Sequence, residues 1–430
     1  MLYSMKTKLL IIAAIMLAAL HSIGAETVLT ADEAVALALK QNLSLDRTRI
    51  ETGGKKREAG TAWNSLIPSV SAGAAYSRGT SITGDLPPAR EEWTPGVSLS
   101  ASLSLSPAIV TEIRRTKADY EAGLLSYEAA KQELELQVRK SFYQIVLLGS
   151  NVELANRNIA SAQARHEEAA AKAGVGQSSR LDELSARVDL ENLRPAKRSA
   201  ETALNNALEN FALVLGIDPE ETIQLNGSLE LPSPPELIAA DRQESLSISS
   251  LKKSLEALEA QRKTLWNQSY IPSLRLSWTG NPAYANDTWA DSTGSFSVGV
   301  SIQLDNFLPG SKAKNQIAAV DDSLALYRSQ ITEAIRNQDT QIRQNMRVME
   351  QSIESIQAIS LNVDLARETY TMWTQAYRQG SADLQQLRNA ADSLSEAENR
   401  LRQEQYNLLA AMLDLEKSLN IPFGSLREAK

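Results

Sequence analysis

No cysteine occurs anywhere in the 430 residues, which excludes disulfides, thiolate metal sites, cysteine nucleophiles and a lipid-bearing N-terminal cysteine. Histidine is nearly missing too. Of the two present, His21 lies in an apolar leader, and His166 sits in a run of Glu and Ala where a solvated surface position is expected. Phosphate loops are absent: Gly53-Gly54-Lys55 would need a glycine where Arg49 stands to match the Walker spacing, and Lys55-Lys56-Arg57 reads as a solvated helix face. Aromatics are only 5% of the chain, too few for large aromatic-rich cores. Beyond the leader no run of about 20 apolar residues exists, so no transmembrane helix is expected. The net charge of −8, more negative still without the leader's Lys6 and Lys8, argues against nucleic acid as a partner. With no convergent acid, base and nucleophile in view, neither catalysis nor a cofactor is expected.

What the chain does contain is organised in long stretches. Residues 1–25 have two lysines, an apolar run Leu9–Leu20 and small residues ending at Gly24-Ala25, the layout of a cleavable secretory signal; the mature chain would start near Glu26. Thr30 with Glu33 makes a capping box for a helix to about Asn64. Ile67-Pro68-Ser69 ends it, and Ser69–Ser77 alternates as a first strand. A Gly/Pro/Thr-rich loop, 79–95, leads to Val97–Ser106, where every odd position is apolar and every even one serine, so a strand here has one apolar and one small polar face. From Pro107 to about Ala173 the pattern is one helix of roughly 100 Å at about 1.5 Å per residue. Gly174-Val175-Gly176 breaks it, and a helix from Ser179 to Gly216 runs back.

Residues 218–236, with Pro219, Pro232, Pro234 and Pro235, read as a linker between a first repeat, 26–217, and a second, 237–422, leaving 423–430 as a tail. The second repeat has a helix to about Asn267, a strand Ser273–Thr279, a loop 280–294, a strand Ser295–Leu304, a long helix Pro309–Arg378, a break at Gly380 and a return helix to Leu419. Pro68/Pro272, Gly176/Gly380, Ala186/Ala390, Leu215/Leu419 and Ile217/Ile421 are each 204 apart, which predicts a tandem duplication of helix, β-hairpin, long helix and return helix.

The long helices carry a seven-residue stripe, Ile335, Ile342, Met349, Ile356, Val363, Tyr370 and Tyr377 in one and Val138, Ile145, Val152 and Ile159 in the other, the spacing of helices that supercoil around neighbours. Four strands cannot close a barrel, and an open sheet with an apolar face exposes both edges and face. Several chains are therefore expected to pool strands whose length and alternation suit a membrane barrel with a polar lumen. Leu99, Leu103, Leu276, Trp278, Val298 and Val300 are then the lipid-facing positions. Tyr76, Trp93, Tyr270, Trp278, Trp289 and Phe307 lie near strand ends, where interfacial aromatics belong.

Leu29-Thr-Ala-Asp-Glu-Ala-Val-Ala-Leu-Ala-Leu-Lys-Gln-Asn42, Leu66-Ile-Pro-Ser-Val70, Gly176-Gln-Ser-Ser-Arg-Leu-Asp-Glu-Leu-Ser-Ala186 and Leu213-Val-Leu-Gly-Ile-Asp-Pro219, in this order, resemble the TolC-type outer-membrane efflux channels. The resemblance covers 26–422. It implies a mixed α and β fold: a homotrimer giving four strands per chain to one twelve-stranded transmembrane β-barrel in outer-membrane lipid, continued by an antiparallel α-helical coiled-coil barrel through the periplasm. It further implies a passive exit duct of a tripartite efflux or type I secretion system, with a periplasmic adaptor and an inner-membrane pump as partners. Members with an acidic aperture carry aspartates six and nine residues after the second tip glycine; here those positions are Gln386 and Asn389, while Asp182, Glu183 and Asp383 remain near the tips. Gln386, Asn389, Asp182 and Asp383 are the aperture candidates, and Gly174, Gly176 and Gly380 the adaptor-docking tips. The rival expectation is a periplasmic coiled-coil scaffold without a pore.

Overall fold

The computed structural model describes residues 27–78, 93–220, 223–229, 243–282, 284–285, 288–289 and 293–428. The leader, most of the loop 79–95 and much of the linker lie outside these. In chain order the elements are β1 (Thr27–Leu29), α1 (Ala31–Gln41), α2 (Leu43–Thr61), β2 (Ser69–Ser77), β3 (Thr94–Leu105), α3 (Ala108–Gly174), α4 (Arg180–Leu215), β4 (Ile223–Leu225), α5 (Leu246–Tyr270), β5 (Ser273–Asn281), β6 (Tyr284–Ala285), β7 (Thr288–Trp289), β8 (Thr293–Ser301), α6 (Lys312–Arg378), α7 (Leu384–Leu419) and α8 (Ser425–Glu428). The chain divides into two units, Thr48–Glu128 with Leu246–Arg336, and Met1–Arg47 with Ala129–Ser245 and Asn337–Lys430.

The first of these units holds a four-stranded antiparallel sheet in the order β2-β3-β5-β8. β2 and β3 form the expected hairpin, and β3 pairs with β5 through Leu103↔Leu276 and Leu105↔Leu274, joining strands far apart in sequence. β5 pairs with β8 through Leu274↔Val300, Leu276↔Val298 and Trp278↔Phe296. The expected fourth strand ended at Leu304; β8 stops at Ser301, and Leu304–Phe307 is a 3-10 turn. Buried Asn306 draws the chain out of the sheet here, its Nδ2 donating to the Ser269 carbonyl (3.0 Å) and to Gln303 Oε1 (3.2 Å). The loop 280–294 contains the small β6–β7 pairing. α5 continues to Tyr270, three residues past Asn267.

The second unit packs helical hairpins. α3 and α6 are both 67 residues and α4 and α7 both 36; Ala108/Lys312, Gly174/Arg378, Arg180/Leu384 and Leu215/Leu419 are all 204 apart. Every stripe position is buried or half-buried. Val138 and Met349 are fully buried, and Met349 lies in a cluster with Leu408, Met412, Leu415 and Leu419, with Ile342 and Ile356 at its edge. Burying side chains of this size is worth about 1.5–3 kcal/mol each. Glu416, on the same helix, is buried and accepts from the Leu426 N–H at 2.8 Å, tying down α8 within the tail 423–430; its burial raises the carboxyl pKa.

Two expectations about this unit are corrected. The helix from Thr30 does not run unbroken to Asn64. The capping box is present, with Thr30 N–H to Glu33 Oε2 at 2.8 Å, but Asn42 is extended and splits the stretch into α1 and α2, with a 3-10 turn over Ala62–Leu66. Asn42 serves both sides of the break, since its Oδ1 accepts from Leu45 N–H (2.9 Å) and its Nδ2 donates to the Val214 carbonyl (2.8 Å). Within the linker 218–236, β4 pairs in parallel with β1. His166 is half-buried rather than solvated, its Nδ1 out of reach of water and of any hydrogen-bond partner among the described residues.

Candidate functional site

The sheet is built from two periods of two that agree across all four strands. Register places Ser69, Ser71 and Gly73 beside Ser102, Ser100 and Ser98, and Ser277 beside Ser102 and Ser297. Their hydroxyls bond across the strands: Ser69–Ser102 at 2.8 Å, Ser71–Ser100 at 2.7 Å, Ser273–Ser301 at 3.0 Å and Ser277–Ser297 at 2.6 Å. Such cross-strand pairs contribute roughly 0.2–1 kcal/mol each and hold the polar face in register. The other face presents Val70, Ala72, Leu99, Leu103, Leu276, Trp278, Phe296, Val298 and Val300. Val70, Phe296, Val298 and Val300 are 59–77% exposed and Leu99 and Trp278 each 41%, whereas Leu103 and Leu276 are half-covered by their neighbours. An exposed apolar sheet face of this extent needs a covering medium. Trp278 fills the space that Gly280 and Gly294 leave open: a Cβ on either would lie 2.9 or 3.2 Å from the indole.

Aromatics gather at both ends of the sheet. Tyr76 stacks on Trp93 (5.3 Å between centroids) beside the Ser77↔Thr94 end. At the other, Tyr270 packs edge-on against Phe307 at 5.3 Å and near Trp266 at 5.9 Å. The Trp289 side chain lies outside the described residues.

The turns between paired helices form the second candidate region. Gly176 (φ +76°) and Gly380 (φ +78°) reverse the chain in the left-handed region, with Gln177 N–H to Lys172 C=O (2.8 Å) and Ser381 N–H to Ala376 C=O (2.9 Å) closing each helix. Glycine takes this backbone at no steric cost, asparagine at a small one and most other residues only with strain. Gly174, by contrast, is the last residue of α3 and has open space where a side chain would stand.

The aperture candidates turn back onto their own helix starts. Asp182 accepts from Ser179 N–H (3.1 Å) and Ser178 Oγ (2.8 Å) in the capping box of α4, and those serine hydrogen bonds hold its carboxyl below the usual carboxylate range. Asp383 is the N-cap of α7, accepting from Gln386 N–H at 2.8 Å, while Gln386 Oε1 accepts from Asp383 N–H at 3.2 Å. Asn389 accepts from Gln385 at 2.9 Å. Ser179 and Asp383 are 204 apart, as are Asp182 and Gln386, so one tip is charged where the other is neutral. The reading of single residues missed the packing beneath the tips: Tyr377, Leu384 and Leu387 bury against Ala169 and Ala186, and Lys172 Nζ lies 3.9 Å from the centre of the Tyr377 ring. Aligning the two hairpins at the 204 offset and marking the apolar neighbours of each glycine would have found it.

Residues 34–217 match the outer membrane efflux protein family. The chain is 22% identical over 321 residues to the outer membrane protein TolC of Vibrio cholerae, covering 70% of each. Its fold is similar to the CmeC outer membrane channel of Campylobacter jejuni (TM-score 0.80, 16% identity, 90% of this chain and 85% of that one). It is also similar to the outer membrane protein VceC of Vibrio cholerae (TM-score 0.78, 15%, 91% and 96%) and to the open-state MtrE outer membrane channel of Neisseria gonorrhoeae (TM-score 0.74, 16%, 91% and 89%). A two-faced sheet and striped helical hairpins, found with these likenesses, make the chain an outer-membrane protein similar to the TolC-type outer-membrane efflux channels.

Proposed function

We propose that three copies of this chain form a passive exit duct, each giving β2, β3, β5 and β8 to a twelve-stranded barrel across the outer membrane, with the helical hairpins continuing it through the periplasm. The observation that carries this reading is the sheet's two faces, apolar and exposed on one side and hydroxyl-laddered on the other, with β2 and β8 left as edges. Pairing β8 of one copy with β2 of the next removes both edges. Fractionation tests it: the protein partitions with the outer membrane and runs in detergent as a compact oligomer that heating dissociates. Release as soluble periplasmic protein would favour the scaffold instead.

The duct serves a tripartite efflux or type I secretion system, with the tips at Gly176 and Gly380 meeting a periplasmic adaptor coupled to an inner-membrane pump. Replacing both glycines by valine strains two left-handed positions, by about 1–2 kcal/mol each, and reshapes the turns. Export is expected to stop while the heat-sensitive oligomer persists. Full export by the double variant would remove the docking assignment.

Gln386 and Asn389 line the narrowest part of the duct and close it through neutral hydrogen bonds, worth about 0.5–1.5 kcal/mol each. The closed state then depends little on divalent cations. In planar bilayers millimolar divalent cations leave the wild-type current nearly unchanged, and Gln386→Asp with Asn389→Asp creates a block. Strong block of the unmodified channel would assign an acidic ring to Asp182 or Asp383.

A further inference from the structure

Along the four long strands β2, β3, β5 and β8 one side chain is charged, that of Arg275. It stands on the serine face, opposite Ser104 of β3 and Gly299 of β8 in the register. The residue is exposed. Among the described residues no carboxylate pairs with it, and the space beside it is open because a Cβ at Gly299 would meet nothing within 4 Å. Every other group on this face is Ser, Thr, Asn, Gly or Ala, able to offer dipoles but no counter-charge. β5 is an inner strand of the sheet, so pairing at the edges brings no new strand next to Arg275.

We infer that Arg275 makes the sheet section of the duct select for anions. This rests on the pore reading above. A guanidinium stays protonated at any working pH. Three of them facing one lumen form a positive ring where α5 feeds into β5, at the helix-side mouth of the barrel. Low-dielectric walls focus the field of such a ring, and counter-ions concentrate there. Chloride, and solutes carrying carboxylate, sulfonate or phosphate groups, pass this ring in preference to cations of similar size.

The test is the reversal potential of the purified oligomer in planar bilayers across a KCl gradient, which reports the chloride-to-potassium permeability ratio. Arg275→Ser lowers that ratio about fivefold, as a local potential on the order of 1 kT requires. Arg275→Glu lowers it further, and Arg275→Lys, which keeps the charge, leaves it within about twofold of wild type. Assembly of each variant is read from the unheated gel; if Arg275→Ser fails to assemble, Arg275→Gln, which keeps most of the side chain, carries the same comparison. Conducting channels with equal ratios in wild type, Arg275→Ser and Arg275→Glu would overturn the selectivity assignment and leave the pore intact. No conductance from correctly assembled wild type would overturn the pore reading and this assignment with it.

Discussion

Leu103→Arg is expected to abolish the heat-sensitive oligomer, while Ser102→Arg, one residue away, leaves it assembled with a smaller conductance. The two positions differ only in which face of β3 they occupy. Leu103 lies opposite Leu276 in the register and belongs to the face carrying Leu99, Val298 and Val300. Ser102 lies between Ser69 and Ser277 and is bonded to the Ser69 hydroxyl at 2.8 Å. In the proposed trimeric barrel an arginine facing lipid near mid-bilayer would cost on the order of 2–4 kcal/mol per chain, three times over. On the hydroxyl face the same side chain stays hydrated, forfeits one serine pair and takes up lumen volume. The measurement is the oligomer band in unheated gels of outer-membrane fractions, followed by conductance of whatever assembles. Equal loss of the oligomer in both variants would mean that the two faces do not separate lipid from lumen.

The second large effect is expected at Gly216. It ends α4 in the left-handed region (φ +81°), and a Cβ there would lie 2.4 Å from the Gln41 carbonyl oxygen and 3.1 Å from the Asn42 nitrogen. Those are backbone atoms, at the break where Asn42 Nδ2 also holds the Val214 carbonyl. Gly216→Ala therefore combines about 1–2 kcal/mol of backbone strain with a packing clash of roughly 1–3 kcal/mol. The matching position 204 residues on is Asn420, left-handed at φ +56°, with Nδ2 donating to the Glu244 carbonyl at 3.0 Å. Asparagine tolerates that backbone, so the strain and the clash can be separated. Gly216→Asn relieves the first but not the second, and should remain destabilised by the clash alone. Asn420→Gly should lose only its side-chain hydrogen bonds, about 0.5–1.5 kcal/mol each. Thermal unfolding followed by the helical signal ranks the three; a Gly216→Asn protein as stable as wild type would show that α1 and α2 can move away from the end of α4.

What the sequence determined by itself was everything with a local period or a local cap. The serine alternation of 97–105, the capping box at Thr30, the heptad stripe through Met349 and the left-handed glycines 176 and 380 each depend on residues within a few positions of one another, where side-chain direction and backbone preference act directly. Repetition of the same signals 204 residues later made the long elements legible even where a single signal was weak. The tertiary structure decided what depends on distant partners. That β3 pairs with β5, setting the order β2-β3-β5-β8, follows from Leu103 meeting Leu276 across more than half the chain length of a repeat, and no short-range pattern encodes that choice. The break at Asn42 was hidden because the helical pattern continues through it; only the carbonyl of Val214, 172 residues away, gives the asparagine side chain a reason to end α1 there. The same holds at the end of β8, where the apolar alternation runs on through Ile302 and Leu304 but Asn306 finds its acceptor on Ser269. It holds too for the polar side chains at the tips, whose residue types were readable but whose capping geometry required the folded turns. Local chemistry sets what each segment can be, and long-range hydrogen bonds and packing decide where it stops and what lies beside it.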